Sequence, residues 1–320
     1  MNGKKIIKTV LITFMMGLSV NAFSQSMNEA GDAFNKGIQQ ASAGNVDAAI
    51  DAYEKTVSIA DQLGGEGMDL KFKAQQQLAK LYLNSGLNNY KAKKFSTAEK
   101  DLKKSAEYAE KVGDEKTLKT ANAYVARVNY SFGLSLLKKN EVDQAMTNLN
   151  EALKYDPDYY KAYYGLALVY KAKDMPAEME NAVSKMIELG GDDTKYINRT
   201  KSVAEKFFLK EGSKALQAKN YETAVDYLNQ SLKYGEPDAN TYYYLAIANN
   251  SSGKPDAAIE AVEKGLQLEE GDKSNLYFEK AKAHEAKGNV TAACDAYKKV
   301  NSGPNQELAK YKIETELKCG

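Results

Sequence analysis

The chain has 320 residues, and its 44 lysines and arginines almost balance its 43 aspartates and glutamates, for a formal net charge of +1. Nucleic-acid binding is therefore not expected, because it shows as a strongly basic patch or domain, and only Arg127 and Arg199 are arginines. Five prolines and no tryptophan fit a helix-rich chain, while 22 tyrosines supply contact area for a core or a surface.

The first 24 residues have the three parts of a secretory signal peptide. Lys4, Lys5 and Lys8 precede an apolar run at 9–20, and small residues follow at the −3 and −1 positions of a cleavage site before residue 25. The apolar run is shorter than the roughly 20 residues of a membrane span. We expect cleavage, export to the periplasm and no membrane span afterwards. An uncleaved anchor, outer-membrane association and secretion stay open as alternatives.

A short sequence motif recurs along the rest of the chain. Each copy has a residue at one fixed position, usually a small one, which is called the anchor residue here. Successive anchors are 49, 47, 34, 45, 34 and 35 residues apart. They are Ala49, Ala98, Ala145, a degenerate Met179, Ala224, Ala258 and Ala293. Twelve residues earlier stands another small residue, at Gly37, Gly86, Gly133, Ala167, Gly212, Ala246 and Ala281. Four residues later stands a large one, at Tyr53, Leu102, Leu149, Val183, Leu228, Val262 and Tyr297.

This spacing predicts a helix–turn–helix unit that buries its apolar face only by stacking on neighbours. The three long intervals predict elongated helices, since 46–63, 67–92 and 115–139 are helix-friendly and nearly free of proline. We expect the array to cover residues 25–303. Residues 304–320 carry apolar side chains among charges, which predicts a capping helix on the last unit.

The pattern resembles the tetratricopeptide repeat, a unit of 34 residues. Residues 126–159 match best, with Gly133, Ala145, Leu149, Ala152 and Pro157 at positions 8, 20, 24, 27 and 32 of the unit. The resemblance implies an all-α, right-handed superhelical solenoid of about seven repeats with a C-terminal capping helix. Departures are Met179 in place of alanine, and charged residues in place of the apolar one at position 7, at Lys36, Glu211 and Lys280.

In that family the first helices of the repeats line a concave groove, so the resemblance also implies a binding site. Mapped onto this chain, the groove is a tyrosine-rich apolar stripe, which disfavours a basic clamp for acidic tails. The alternative is that many of these side chains are core. The candidate groove residues are Phe34, Leu83, Tyr130, Leu134, Tyr164, Leu168, Leu209, Tyr243, Ile247 and Phe278.

Cys294 and Cys319 are the two cysteines of the chain, one on the last predicted repeat and one on the predicted cap. Their helices should run antiparallel around a turn near the midpoint of the two positions. A disulfide is therefore geometrically reasonable in an exported compartment. A redox-active pair is the less favoured alternative, because the CxxC spacing is absent.

The sequence contains no set of residues that indicates catalysis. His284 is the single histidine, and neither an HExxH motif nor a Gly-x-Ser-x-Gly elbow occurs. We expect no catalytic residue, no metal site and no cofactor. The predicted function is a non-catalytic scaffold of the cell envelope that binds a protein or peptide partner. The alternatives are a self-assembling structural protein, as a homo-oligomer, and a glycan-binding or accessory subunit of an envelope enzyme complex.

Overall fold

The computed structural model describes residues 26–320, so the predicted signal peptide at 1–24 lies outside the described residues. The described residues form two compact units, which divide between Ala162 and Tyr163. Regular structure in residues 26–320 is helical throughout, without strands. None of these helices combines the length and apolar character that crossing a bilayer requires.

The helices of the first unit begin at residue 26 and are numbered in chain order. They are α1 (26–42), α2 (Val46–Gln62), α3 (Met68–Lys91), α4 (Phe95–Lys111), α5 (Glu115–Lys138) and α6 (Val142–Tyr155), with a short 3₁₀ turn at Gly64–Gly67. Helix α7 (Tyr160–Lys173) begins just before the division between the units.

The second unit continues the same alternation of first and second helices. Its helices are α8 (Pro176–Leu189), α9 (Thr194–Gln217), α10 (Tyr221–Tyr234), α11 (Ala239–Ser251), α12 (Pro255–Leu268), α13 (Ser274–Ala286), α14 (Val290–Tyr297) and α15 (Gln306–Tyr311). Each odd-numbered helix up to α13 is followed by its even-numbered partner, so residues 26–297 form seven consecutive hairpins. The predicted all-α array of helical repeats is confirmed.

The hairpins are closed by the small and large residues that recur in the sequence. A Cβ atom added to Gly86 would lie 2.6 Å from Cγ of Leu102, and one added to Gly212 would lie 2.8 Å from Cγ of Leu228. Both leucines are fully buried, as are the anchor residues from Ala49 to Ala293. Because glycine on the first helix has no side chain, it leaves a space, and the leucine of the second helix fills that space.

The turns inside the hairpins also repeat one geometry. In each of the seven, one residue adopts a left-handed conformation with φ between 57° and 79°, and the next amide donates to the carbonyl five residues back. This is the Schellman arrangement, which satisfies the last carbonyls of a helix. The left-handed residues are Gly44, Lys93, Asn140, Asp174, Lys219, Gly253 and Gly288.

The long intervals between anchors are taken up by helix. Helices α3, α5 and α9 have 24 residues each, compared with 13 or 14 in α7, α11 and α13. The side chains of Asp114 and Asp193 cap α5 and α9, since each accepts a hydrogen bond from the backbone amide three residues later. Because capping satisfies amides that have no partner within the helix, these residues fix where the two long helices begin.

The C-terminal segment is shorter as a helix than the sequence predicts. Helix α15 covers six residues and runs into a π turn at Lys312–Glu316. Ala309 is buried against Phe278, Tyr297 and Val300, and Ile313 and Leu317 pack partly on the same cluster. Cys319 is bonded to Cys294 of α14 in a disulfide with the two Cα atoms 5.7 Å apart.

Candidate functional site

The ten residues of the apolar stripe differ in exposure. Tyr130, Tyr164 and Phe278 are buried, with 7%, 3% and 6% of their surface accessible. The other seven are half-buried: Phe34, Leu83, Leu134, Leu168, Leu209, Tyr243 and Ile247. The three buried side chains therefore contribute to the core and present little area to a partner.

Neighbouring aromatic side chains cover two of the buried tyrosines. The ring of Tyr130 meets the ring of Tyr159 edge to face, with centroids 5.6 Å apart, and Tyr164 meets Tyr196 in the same way at 5.6 Å. The guanidinium of Arg199 lies 5.2 Å from the Tyr164 ring centroid and covers it further. Such edge-to-face pairs are favourable in addition to the area that they bury. Tyr130 and Tyr164 are thus held by partners outside the predicted stripe.

Half-buried members of the stripe also pack within their own hairpins. Phe34 meets Tyr53 edge to face at 5.4 Å, and Leu83 packs against the cluster that contains Leu102. Leu209 and Tyr243 pack against the cluster built on Leu228 and Val262 of the second unit. These residues leave part of their surface accessible, but each is engaged with the helix that follows it.

A cavity of about 640 Å³ is lined by residues of α11 and α13, by Tyr297 of α14, and by the C-terminal segment that contains α15. Phe278 of the predicted stripe and the ring of Tyr297 form its floor, and Leu308, which is 47% exposed, lies on its rim. The complete lining is Asn250, Ser251, Phe278, Lys282, Glu285, Ala286, Tyr297, Leu308 and Lys312. Here an apolar floor is surrounded by a small number of polar groups.

One polar group of this cavity is built around a buried carboxylate. Glu279 is 4% exposed, and it accepts hydrogen bonds from Nδ2 of Asn250 at 2.8 Å and from Nζ of Lys282 at 3.0 Å. The same Nδ2 also donates to the Glu279 backbone carbonyl at 3.0 Å, which fixes the orientation of the amide. Oδ1 of Asn250 is buried without a hydrogen-bond partner among the described residues. The Asn250 amide therefore has an unused acceptor next to the cavity.

A second polar group joins three elements of the cavity wall. Glu285 of α13 accepts hydrogen bonds from the Tyr297 hydroxyl of α14 at 2.8 Å and from Nζ of Lys312 at 2.7 Å. Burial raises the pKa of the Glu285 carboxyl, but the Lys312 ammonium and the Tyr297 hydroxyl outweigh burial and hold that pKa below its ordinary value. Burial, and then the Glu285 carboxylate, raise the pKa of Tyr297. Glu285 is thus ionised and Tyr297 neutral near pH 7.

The sequence analysis singles out Phe278 but misses the polar residues of this cavity. Asn250, Lys282 and Glu285 lie on the same sides of their helices as the stripe, at positions where polar side chains interrupt the apolar pattern. That interruption is the one signal that the sequence offers. Lys312 carries no such signal, because it lies outside the repeats and its position depends on how the C-terminal segment folds back.

No group of three His, Cys, Asp or Glu side chains in residues 26–320 is arranged to hold a metal ion. Nδ1 of His284 is buried without a hydrogen-bond partner within this range. Burial, assisted by Lys280 and Lys287, lowers the pKa of His284, so the imidazole is neutral near pH 7.

Comparison with known proteins identifies the repeats. A family profile described as TPR repeat matches residues 133–174, and one described as Tetratricopeptide repeat matches residues 209–274 and 251–306. Together they match less than half of the chain. The first match spans the end of α5 through α7, and the second spans the end of α9 through α14.

Solved structures that resemble the chain include YrrB, described as a TPR protein with an unusual peptide-binding site (19% identity, 59% of this chain and 92% of that chain covered, TM-score 0.37). Another is the MamA protein (23% identity, coverage of 60% and 96%, TM-score 0.36). A third is a tetratricopeptide repeat protein from Parabacteroides merdae (17% identity, coverage of 90% and 98%, TM-score 0.30). Both family profiles fall on hairpins whose small and large residues interlock, so the chain contains tetratricopeptide repeats at residues 133–174 and 209–306.

Proposed function

We propose that this protein is a non-catalytic scaffold of the cell envelope that holds a peptide segment of a partner protein in the cavity between α11, α13 and α15. Tetratricopeptide-repeat proteins are generally protein-interaction scaffolds without catalytic activity of their own. The observation that carries the proposal is the cavity itself, in which apolar side chains and convergent polar groups of α11, α13 and the C-terminal segment meet. Concave sites in which a few polar groups converge beside apolar side chains are common ligand sites in proteins.

The charges around the cavity indicate what kind of peptide fits. Lys282 is paired with Glu279, and Lys312 is paired with Glu285. Because each ammonium already has a carboxylate partner, the cavity offers no uncompensated positive charge to an acidic tail. The exposed side chains of Leu308 and Ala286 instead offer apolar contact area, which favours an uncharged peptide segment with an apolar side chain.

The proposed compartment rests on the sequence. A signal peptide at residues 1–24 would direct the chain out of the cytoplasm. Disulfides persist in oxidising compartments and are rare in the cytosol, so the bond between Cys294 and Cys319 supports export. In a Gram-negative cell both features favour the periplasm.

Site-specific photo-crosslinking in intact cells tests the proposal. A photoreactive amino acid is placed at Ser251 in the cavity wall, and a matched probe is placed at Gln267, an exposed residue of α12 in the same unit. We expect a discrete adduct from Ser251 that Gln267 does not give. The Ala286→Phe substitution, which places an aromatic ring in the cavity, should abolish the adduct, while Ala218→Phe, at the exposed residue that follows α9, should preserve it.

The outcome also separates the alternatives. An adduct between two copies of this chain, dependent on the cavity, would favour self-assembly. Identical adducts from Ser251 and Gln267 would contradict binding in the cavity. A clean monomer by light scattering at micromolar concentration would remove the self-assembling protein from consideration.

A further inference from the structure

The C-terminal segment, residues 306–320, contributes one wall of the cavity. Leu308 of α15 lies on its rim, and Lys312 at the start of the π turn reaches across to Glu285 of α13 at 2.7 Å. The cavity therefore exists in its described form only while this segment is docked on the last hairpin. What holds the segment in place decides whether the site is complete.

Non-covalent contacts hold the segment weakly. Ala309 is the single buried residue among 306–320, and Ile313 and Leu317 are half-buried. Helix α15 has only six residues, and isolated helices of fewer than about 12 residues are marginal in water. Ordering each backbone residue is opposed by conformational entropy, and this segment buries little apolar surface in return.

The disulfide supplies the missing constraint. Cys294 belongs to α14 and is 7% exposed, whereas Cys319 stands one residue before the end of the chain and is half-buried. Their bond closes a loop with a sequence separation of 25 and fixes the far end of the segment on the hairpin. In the chain-entropy account, closing such a loop shifts the equilibrium toward the docked segment by roughly two orders of magnitude.

We propose that the cavity is a redox-dependent binding site, complete when the Cys294–Cys319 disulfide is formed and open on one side when it is reduced. This inference rests on the proposed function, because it concerns the regulation of the same site. A dithiol reductant of the thioredoxin class provides the chemistry. Its thiolate attacks Sγ of Cys319, which is more accessible, and the Cys294 thiolate leaves and takes up a proton. The second thiol of the reductant then closes its own disulfide and releases Cys319 as a thiol.

Reduction should affect the segment locally. The contacts within the hairpins up to α14 do not involve Cys319, so the hairpins stay folded while residues 306–320 are released. Leu308 then leaves the rim of the cavity, and Glu285 loses Lys312 but keeps the hydroxyl of Tyr297. A partner that contacts this wall binds more weakly as a result.

Because the chain contains no tryptophan, a single introduced tryptophan reports directly on the C-terminal wall of the cavity. The Leu308→Trp variant carries one tryptophan at the rim, and its emission and its quenching by acrylamide are measured in oxidised protein, after dithiothreitol, and after reoxidation. We expect reduction to shift the emission to longer wavelength and to raise quenching reversibly, with an unchanged helical signal in circular dichroism. Unchanged quenching after complete reduction, verified by thiol alkylation and mass, would overturn the proposal.

Hydrogen exchange provides a second measurement in the unmodified chain. Amide protection of residues 309–319 should fall by roughly 100-fold on reduction, in line with the entropic constraint that is lost. Protection in α11 and α12 serves as the internal control and should not change. A loss of protection in all hairpins together would show that the disulfide supports the whole unit. That result would contradict a release confined to residues 306–320.

The final experiment separates this inference from the proposed function. The photoreactive probe at Ser251 is repeated in a Cys294→Ser/Cys319→Ser variant and, as a matched control, in a Lys298→Ala variant, which removes a hydrogen bond to Gly320 but keeps the disulfide. We expect the adduct to be lost in the first and kept in the second. If the adduct persists without the disulfide, the redox inference fails and the proposed function stands. If Ser251 gives no specific adduct in the oxidised wild-type protein, the proposed function fails, while the fluorescence still reports whether the wall moves.

Discussion

Gly133 and Leu149 occupy one shared space, because a Cβ atom on Gly133 would lie 2.9 Å from Cγ of Leu149 and 3.2 Å from the carbonyl oxygen of Ala145. The sizes of the two residues change together along the chain. Glycine faces leucine or tyrosine in four hairpins, and alanine faces valine in two, at Ala167–Val183 and Ala246–Val262. The exception is Ala281, which faces Tyr297 in the hairpin that carries the candidate site.

The Gly133→Ala substitution should destabilise the first unit. Overpacking of a filled core typically costs about 1–3 kcal/mol, whereas alanine gains up to about 1 kcal/mol over glycine in a helix. We expect a net loss of about 1–2 kcal/mol in the free energy of unfolding, measured by urea denaturation followed by circular dichroism.

Two controls isolate the steric cause of that loss. Gly31→Ala in α1 places its Cβ where nothing lies within 4 Å, so it should be neutral or stabilising. The double variant Gly133→Ala/Leu149→Val recreates the pairing of Ala167 with Val183 and should recover part of the loss. No recovery in the double variant would show that the two residues do not share one volume.

The left-handed turns predict substitutions that stabilise. Lys93 and Lys219 have φ angles of 59° and 60°, a conformation that glycine adopts without strain. Lys93→Gly and Lys219→Gly should each raise the free energy of unfolding by about 0.5–1 kcal/mol, because relief of about 1–2 kcal/mol of backbone strain exceeds the entropic cost of glycine. Lys80→Gly, at an exposed helical position of α3, should instead lower it by about 1 kcal/mol. A destabilising effect at Lys93 and Lys219 would contradict the left-handed geometry.

The cap of α5 predicts a pH dependence. Asp114 accepts hydrogen bonds from the Thr117 amide at 3.0 Å and from the Thr117 hydroxyl at 2.7 Å, and these lower its pKa in the folded chain. A lowered pKa means that the stabilisation is complete above the unfolded value of about 3.9 and is lost as the pH falls through the folded value. Asp114→Ala should therefore cost about 1 kcal/mol at pH 7, and the difference from wild type should shrink below pH 4 or so. Asp114→Asn keeps the cap without the charge, so its smaller effect should depend less on pH.

The burial of Tyr130 predicts a core role for a residue of the apolar stripe. Tyr130→Ala should lower the free energy of unfolding by about 3 kcal/mol, as is typical when a buried aromatic side chain is removed. Leu134→Ala, one turn later and half-buried, should cost about 1 kcal/mol, which is near the centre of the distribution for single substitutions. Equal effects of the two in thermal or urea denaturation would contradict the difference in burial.

The hairpins could be predicted from the sequence because each depends on residues within one repeat. The spacing of Gly133, Ala145 and Leu149 reports local packing between adjacent helices, and the structure places all three as expected. The additional residues of α3, α5 and α9 continue a helix, which helix-forming composition without proline already favours.

The candidate site could be predicted only in part, because it depends on contacts between repeats. Phe278 was found from its position in the unit, but whether it is covered depends on Tyr297 and Ala309, which follow 19 and 31 residues later. The burial of Tyr164 likewise depends on Tyr196 and Arg199, whose register against it no repeat pattern specifies. Lys312 belongs to no repeat at all, so its pairing with Glu285 appears only in three dimensions.

The packing of each helix on its near neighbours in sequence has a consequence for synthesis. Within each unit, the helices that pack most extensively are adjacent in the chain or one helix apart, as with α11 and α13. Folds of such low contact order form quickly, and their parts form independently. Each hairpin can therefore join the array once its own residues and those of the hairpin before it are available. The cavity is completed after the hairpins that it borders, since its wall of residues 306–320 follows α14 in the chain and is fixed there by the bond between Cys319 and Cys294.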